Sequence, residues 1–593
     1  MNVVEQIYQL RKNFILIGLT GRTGSGCTTV ANVLATPECK SLKSLYLENN
    51  DKPINNEIRK NKIIYQYIQN NWQGFQVLKA SDIIFYYALL SDFETFMKSF
   101  SEGKKLEDET KGGVSPYWTG FKQKYDALSL IVKECDAYLK EKRYDDDEKN
   151  KKCKQVILKD IPEFRNSLKE LLNSSIKKKV LYKELQQWGN NIRIYDSIVA
   201  DKEEKQSEHS PSCLARKINQ FVKLFRVIDR KDKTPTLIAI DALRNPFEVL
   251  YFRERYSAFY LMSVNTTEKV RKDNLFKLGY RIDEIEELDK KEKAKGDFSN
   301  SYQEIDLDKC IELSDIHITH DGTKVGDNRH LINQIFTYLA LIQHPGLVPP
   351  SPMERVMQVA YTAKLNSGCL SRQVGAAVTD ESFSVKAIGW NTVAEGQTPC
   401  SLRRLDDLCE KEDANAYSAY EKGDETFFNY ASTLHTRYIT DSSIEKLKGL
   451  PLSYCFKDIY TTVTGQLKNQ VHTRSLHAEE NSFLQLAKYG TIGIKGGKLF
   501  TTASPCELCA KKAYQLGIKE IYYIDTYPGI SMQHILDCGD KKPDLILFQG
   551  AIGRAYVSLY NPMLPLKDEI KAITGINAKQ AEIENKQKEQ IND

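Results

Sequence analysis

The chain has no run of roughly 18 uninterrupted apolar residues, the length a membrane-spanning helix needs, so no part of it reads as crossing a bilayer. It has little excess charge: the formal net charge is +5 over 593 residues. That excess is too small to argue by itself for a nucleic-acid binder. It lacks a disulfide framework. Its 13 cysteines are an odd number, spread irregularly over a large chain, which fits a reducing cytosol and leaves selected thiols free to bind metal. A cytoplasmic location is the expectation. The opening MNVVEQIYQLRKNF has neither an apolar segment nor a small-residue cleavage site, and reads as no signal peptide. There is no internal repeat.

What is present describes a globular chain of more than one core. Hydrophobic residues make up 41% and charged residues 27%, and the length exceeds what one core can organise. NFILIGLTGRTGSGCTTVANVLA reads as strand, Gly-rich turn and helix. TPTLIAIDALRNPFEVLYF and AFYLMSVNT add two more strands with polar or helical followers, the alternation of a parallel α/β sheet. Helical periodicity fills the stretch from Ala35 to Thr234. The charged patches DDDEKNKKCK, ADKEEKQSEHSPS and ELDKKEKAKGD read as solvated loops or insertions. The prolines of IQHPGLVPPSPMERV mark a linker at 344–352. The expected division is a first domain over 1–343, a second over 353–562 with an insertion at about 394–474, and a polar tail over 563–593. Past the linker, MERVMQVAYTAKL is an amphipathic helix, QVGAAVTD and SVKAIGWN a hairpin, and HAEENSFLQLAKYG, GKLFTT, CELCAKKAYQLG and EIYYID alternate helix and strand.

His477 and Glu479 flank the start of one of these helices. Cys506 and Cys509 lie three apart at the start of another, just after Pro505. Cysteines at that spacing share a helix face, and a helix N-terminus favours thiolate over thiol. One imidazole and two thiolates are three ligands, which for zinc is the catalytic pattern with an open fourth position. Glu479 is too near His477 in sequence to be a fourth ligand and suits the role of proton acceptor. The order H-x-E followed by P-C-x-x-C is the zinc deaminase signature.

On these residues the segment 353–560 resembles the cytidine and deoxycytidylate deaminase superfamily. SRQVGAAVTD is similar to the opening of the deoxycytidylate branch, and GWNTV to its nucleotide-binding loop, with Trp390 and Thr392 departing from the family's tyrosine and second glycine. The resemblance implies an α/β/α sandwich, a zinc ion on His477, Cys506 and Cys509, and Glu479 carrying a proton from water to cytosine N3 while ammonia leaves from C4. It assigns Asn391 to the deoxyribose 3′-hydroxyl and backbone groups at Ala478 and Ser504 to the ring. Arg372, Arg403, Arg404 and Arg474 are then candidates for phosphate, or solvated surface. Members of the branch often hold a second, structural zinc in the insertion. Cys400, Cys409 and His472 are candidates, with ordinary buried cysteines and a surface histidine as the other reading.

GRTGSGCTT has the spacing of a phosphate-binding loop with Cys27 in place of the lysine. Gly21, Gly24, Ser25, Gly26, Thr28 and Thr29 would cradle a phosphate at the helix N-terminus, and Arg22 is a candidate stand-in for the missing cation. Residues 13–340 resemble the P-loop nucleotide-kinase-like fold, a parallel sheet with helical insertions, and Asp241 falls at its metal-binding acid. A nucleoside triphosphate with Mg²⁺ is the implied ligand. A kinase-like front on a deaminase back resembles the bacterial anti-phage dCTP deaminases. That resemblance implies deamination of dCTP and dCMP, antiviral depletion of the deoxycytidine nucleotide pool, a regulatory small RNA and a homo-oligomer. The alternatives are a polynucleotide cytosine deaminase, and a P-loop signalling protein whose deaminase-like half senses nucleotide.

Overall fold

The computed structural model describes residues 3–42, 55–100, 116–175, 180–200, 207–292, 304–320, 328–441, 443–466, 472–490, 493–525 and 530–576. The chain divides into two compact units, Met1–Pro349 with Arg554–Asp593, and Pro350–Gly553.

In the first unit β1 (Phe14–Thr20), β2 (Gln76–Lys79), β3 (Thr236–Asp241), β4 (Phe259–Asn265) and β5 (Ile316–Thr319) run parallel in the order β5-β4-β1-β3-β2. Every residue of β3 and β4 is buried, and all but the first of β1. Such two-sided burial is what a parallel sheet covered by helices requires. The register pairs Leu19 with Asp241, so the C-terminal ends of β1 and β3 lie side by side, where ligand sites of open parallel sheets form. The helical stretch builds one core around Phe85, Phe96, Trp188 and Phe221.

Three expectations change here. The patch DDDEKNKKCK is mostly the helix Asp147–Gln155. Asp146 caps it by accepting from the amides of Glu148 at 3.0 Å and Lys149 at 3.1 Å, and Asn150 and Cys153 face inward. A cap and a buried face outweigh the charge. The other two charged patches fall partly outside the described residues. The stretch from 563, expected as a polar tail, opens with the helix Leu566–Thr574. Its Glu569 accepts from the Tyr8 hydroxyl at 3.2 Å and meets His344 Nε2 at 2.7 Å. Residues from Arg554 onward belong to the first unit, earlier than the expected boundary at 562. Residues 577–593 of the expected tail lie outside the described residues.

The second unit holds a mixed sheet in the order β10-β9-β8-β6-β7, made of β6 (Gly375–Thr379), β7 (Val385–Trp390), β8 (Lys498–Ala503), β9 (Glu520–Asp525) and β10 (Asp544–Leu547). β6 pairs antiparallel with β7 and β8, and β8, β9 and β10 are parallel. Side chains alternate between its faces. Ala377, Phe500 and Tyr522 pack with Val356, Met357 and Ala360 of the helix Pro352–Lys364. Ala376, Leu499 and Ile521 pack with Phe483 of the helix Ala478–Tyr489 and Ala510 of the helix Glu507–Gln515. Helix, sheet and helix are thus stacked in three layers. The linker ends in a capping box: Ser351 and Glu354 exchange side-chain-to-amide hydrogen bonds and start the helix Pro352–Lys364. The insertion folds as short helices around Leu405, Leu408, Phe427 and Ile459. Among the described residues no helix is long and apolar enough to cross a membrane.

Candidate active site

Two helix N-termini on one face of the second sheet bring the metal ligands together. His477 is the N-cap residue of the helix Ala478–Tyr489. Cys506, two residues beyond Ser504 where β8 has ended, is the N-cap residue of the helix Glu507–Gln515, and Cys509 lies in its first turn. His477 Nδ1 is 3.1 Å from Cys506 Sγ and 3.5 Å from Cys509 Sγ. All three ligand atoms lie within 4.8 Å of one another. Tetrahedral zinc, with Zn–S of about 2.3 Å and Zn–N of about 2.0 Å, sets its ligands roughly 3.5 Å apart. The donor set and its spacing therefore fit zinc. Among the described residues this is the single cluster of three or more such ligands. Cys400, Cys409 and His472 do not converge: Cys409 Sγ accepts a weak 3.9 Å hydrogen bond from Ser432, and His472 packs on Tyr460 with ring centroids 4.6 Å apart. The Cys506 thiol is pulled down to about 4, first by the hydrogen bond from the Cys509 thiol and then by His477. Cys509 is pushed up as the donor in that pair, and His477 is raised by its hydrogen bond with Cys506.

Glu479, in the first helical turn, is 4% exposed. Burial raises its carboxyl above the ordinary range. The Thr501 hydroxyl of β8 lies 3.1 Å from Glu479 Oε1 and 2.7 Å from the Ala503 carbonyl. That hydroxyl has one proton and the carbonyl can only accept. The hydroxyl can turn to the ionised Glu479, to which it donates, or to the Ala503 carbonyl. Thr501 carries no motif in the sequence and was not singled out there.

A cleft lined by Glu479, His477 and Cys506 opens over the cluster. Asn391, Ala478, Ser504 and Arg372, all singled out from the sequence, line it. The Asn391 side chain clasps the chain beside it, accepting from the Val374 amide at 2.7 Å and donating to the Arg372 carbonyl at 2.7 Å. Arg372 pairs with Asp525 at 2.6 Å, and the Ser504 amide donates to the Asp525 carbonyl at 2.8 Å. Of the remaining cations, Arg474 lines the cleft while pairing with Glu421 at 3.2 Å. Arg403 does not face the cleft. It is fully buried between the Tyr417 and Tyr454 rings, ion-paired with Glu421, and holds the insertion together. Arg404 is exposed and paired with Asp406. Lys457, which the sequence reading passed over, sits in the first turn of the helix Phe456–Thr464 and lines the cleft. Only the fold of the insertion brings it there.

In the first unit the loop between β1 and the helix Cys27–Ala35 holds Gly21, Gly24 and Gly26 at positive φ, with Gly26 at the N-cap. Thr28 donates to Asp241 Oδ2 at 3.2 Å. Ser25 is buried, its hydroxyl 3.8 Å from Cys27 Sγ, and Thr29 follows Thr28 in the first turn. Arg22, the candidate stand-in for the missing lysine, pairs with Asp308 at 3.1 Å.

Residues 350–525 match the family model of the cytidine and deoxycytidylate deaminase zinc-binding region. Over 54 residues the chain is 41% identical to ComE operon protein 2 of Bacillus subtilis (strain 168), a segment covering 9% of this chain and 28% of that protein. Over 177 residues it is 28% identical to the deoxycytidylate deaminase of Enterobacteria phage T2, covering 29% of this chain and 79% of that one. A crystal structure of dCMP deaminase from the cyanophage S-TIM5 aligns with 20% identity and a TM-score of 0.19, over 34% of this chain and all of that one. The second unit carries a zinc-binding region of the cytidine and deoxycytidylate deaminase type.

Proposed function

We propose that the second unit catalyses hydrolytic deamination of free deoxycytidine nucleotides, dCTP and also dCMP, to deoxyuridine nucleotides and ammonia. The observation that carries this reading is a buried carboxyl, Glu479, lining a cleft beside a three-ligand cluster and two residues from its histidine. Zinc, when held by His477, Cys506 and Cys509, supplies the Lewis acid that activates water at neutral pH. Glu479 takes one proton from the attacking water and delivers it to ring N3. It then passes the second proton to the departing amine, so water is consumed and ammonia released. Burial suits Glu479 to both roles, because it raises the carboxyl above the ordinary range and so eases its protonation. Asn391 and the Arg372 carbonyl form one wall for the sugar, and Lys457 and Arg474 lie on the cleft lining where phosphates would be met. In the first unit, the loop 21–28 with Asp241 is proposed to take the phosphates of a nucleotide with Mg²⁺, as its geometry at the helix N-terminus favours. Loss of the deoxycytidine pool would make the whole chain an antiviral effector.

The test incubates zinc-loaded protein with dCTP, dCMP and single-stranded oligonucleotide and follows ammonia release. The expected result is turnover of the free nucleotides and none with Glu479→Gln. Turnover confined to the oligonucleotide would replace this reading with polynucleotide deamination, and no turnover of any cytosine compound would end it.

A further inference from the structure

We infer that the glycine-rich loop of the first unit is an anion site whose occupant here is the chain's own Glu292, so that a polyphosphate ligand binds only by displacing that carboxylate. The inference rests on reading the loop as a phosphate site. Glu292 ends the helix Ile282–Glu292 and is 2% exposed. Its Oε1 gathers four donors. The Thr23 amide lies 3.3 Å away, Arg244 Nη1 3.4 Å and the Tyr182 hydroxyl 3.5 Å, and the Thr23 hydroxyl donates as well. The donors are also tied to one another. Arg244 reaches the Tyr182 hydroxyl at 3.0 Å and the Thr23 hydroxyl at 3.2 Å. A backbone N–H of a Gly-rich loop, two hydroxyls and a guanidinium converging on one oxygen is the arrangement that binds a phosphate oxygen.

Arg244 also answers the defect at Cys27. The loop has no lysine of its own, and Arg22 is turned to Asp308. Arg244 comes from the segment after β3, three residues past Asp241, and places a cation, its side chain 23% exposed, on the loop. A guanidinium drawn largely out of water is best paired with an anion. In this structure a carboxylate from a distant helix supplies it. The same helix grips the loop a second time, through Asp289. That carboxylate accepts from Arg271 at 2.7 Å, and Arg271 donates to the Thr23 carbonyl at 3.4 Å. Thr28 keeps its own hydrogen bond to Asp241 at 3.2 Å. Glu292 thus occupies the donors that Thr23, Tyr182 and Arg244 supply.

An internal ligand lowers apparent affinity by the fraction of molecules in which it is bound. The test is calorimetric titration of the full chain with inorganic tripolyphosphate and Mg²⁺, with thermal unfolding as the check on folding. Glu292→Gln is expected to bind at least about tenfold more tightly than wild type, and Glu292→Gln with Arg244→Ala to lose that gain. Equal affinity of folded wild type and Glu292→Gln overturns the inference while leaving the loop a phosphate site. Absence of binding to every form rejects the phosphate-site reading and the inference with it. Should Glu292→Gln fail to fold, Glu292→Asp keeps the charge but withdraws it by one methylene. Tighter binding than wild type is then expected, and equal affinity overturns the inference.

Discussion

Glu479 and the three ligands beside it have separable roles, and single substitutions divide them. Glu479→Gln removes the proton carrier and none of the ligand atoms. Bound zinc should stay near one per chain while kcat falls by roughly 10²–10⁴. Cys506→Ser removes a sulfur, and metal analysis should show zinc lost along with activity. The pH profile tests the hydrogen bond from Thr501. Glu479 must be ionised to accept a proton, so the rate rises with pH through its pKa, and burial places that limb above the usual carboxylate range. Thr501 opposes the shift by hydrogen bonding to the ionised form. Thr501→Val should therefore move the acidic limb further up; an unmoved limb would show that Thr501 does not tune Glu479. His317 gives a stability prediction. It is fully buried on β5 with Ser263 Oγ 2.7 Å from its Nδ1, and burial lowers it to about 4. The unfolded chain takes up this proton near 6.5 and the folded chain only near 4. Stability is therefore lost as pH falls from 6.5 towards 4, by up to about 3 kcal/mol. His317→Gln should show a smaller loss over that window in urea unfolding.

At the scale of elements, the site depends on how closely one helix lies on one strand. A Cβ at Gly389 of β7 would stand 2.3 Å from the Ala478 carbonyl and 2.5 Å from the Ser482 amide. Gly389→Ala must push away the helix that carries His477 and Glu479. Zinc affinity and kcat should both fall while β6 and β7 still pair, measured by metal titration and circular dichroism. Ser351→Ala removes half of the capping box and should cost about 1 kcal/mol. Elements of this kind were legible in the sequence because their signals are local. Apolar runs over 14–20 and 236–241 and Pro505 before Cys506 act within one turn of chain. The helix Asp147–Gln155 was read as loop because its charge is local and its compensation is not. Asn150, for instance, bonds Tyr138 at 2.9 Å, on a different helix.

At the scale of the molecule, the chain leaves the first unit at Pro349 and returns to it after the deaminase-type unit. The returning segment ties to the first unit through Arg554 on Asp315 at 2.9 Å and Glu569 on Tyr8 and His344. Removing residues 554–593 should lower the unfolding midpoint of the first unit and leave the zinc content of the second unchanged. Equal loss in both would show that the division does not describe their stabilities. No composition break in the sequence marks this return, since Gly553 and Arg554 lie inside an ordinary helical pattern.

The sequence by itself marked the metal-ligand motif and most strands of the two sheets, though not β2, which lies inside the stretch read as helical, or β10. The ligands sit at helix starts that local signals define, and parallel strands announce themselves by continuous apolar runs. Only the tertiary structure decided which charged residue meets which. Arg403, a phosphate candidate by sequence, is buried on Glu421. Lys457 reaches the cleft, Cys400, Cys409 and His472 stay apart, and Arg244 and Glu292 close on Thr23. The physical reason is range. A helix start is set by neighbours a few residues away, whereas a buried charge takes whatever partner the packed chain delivers, from any distance along it.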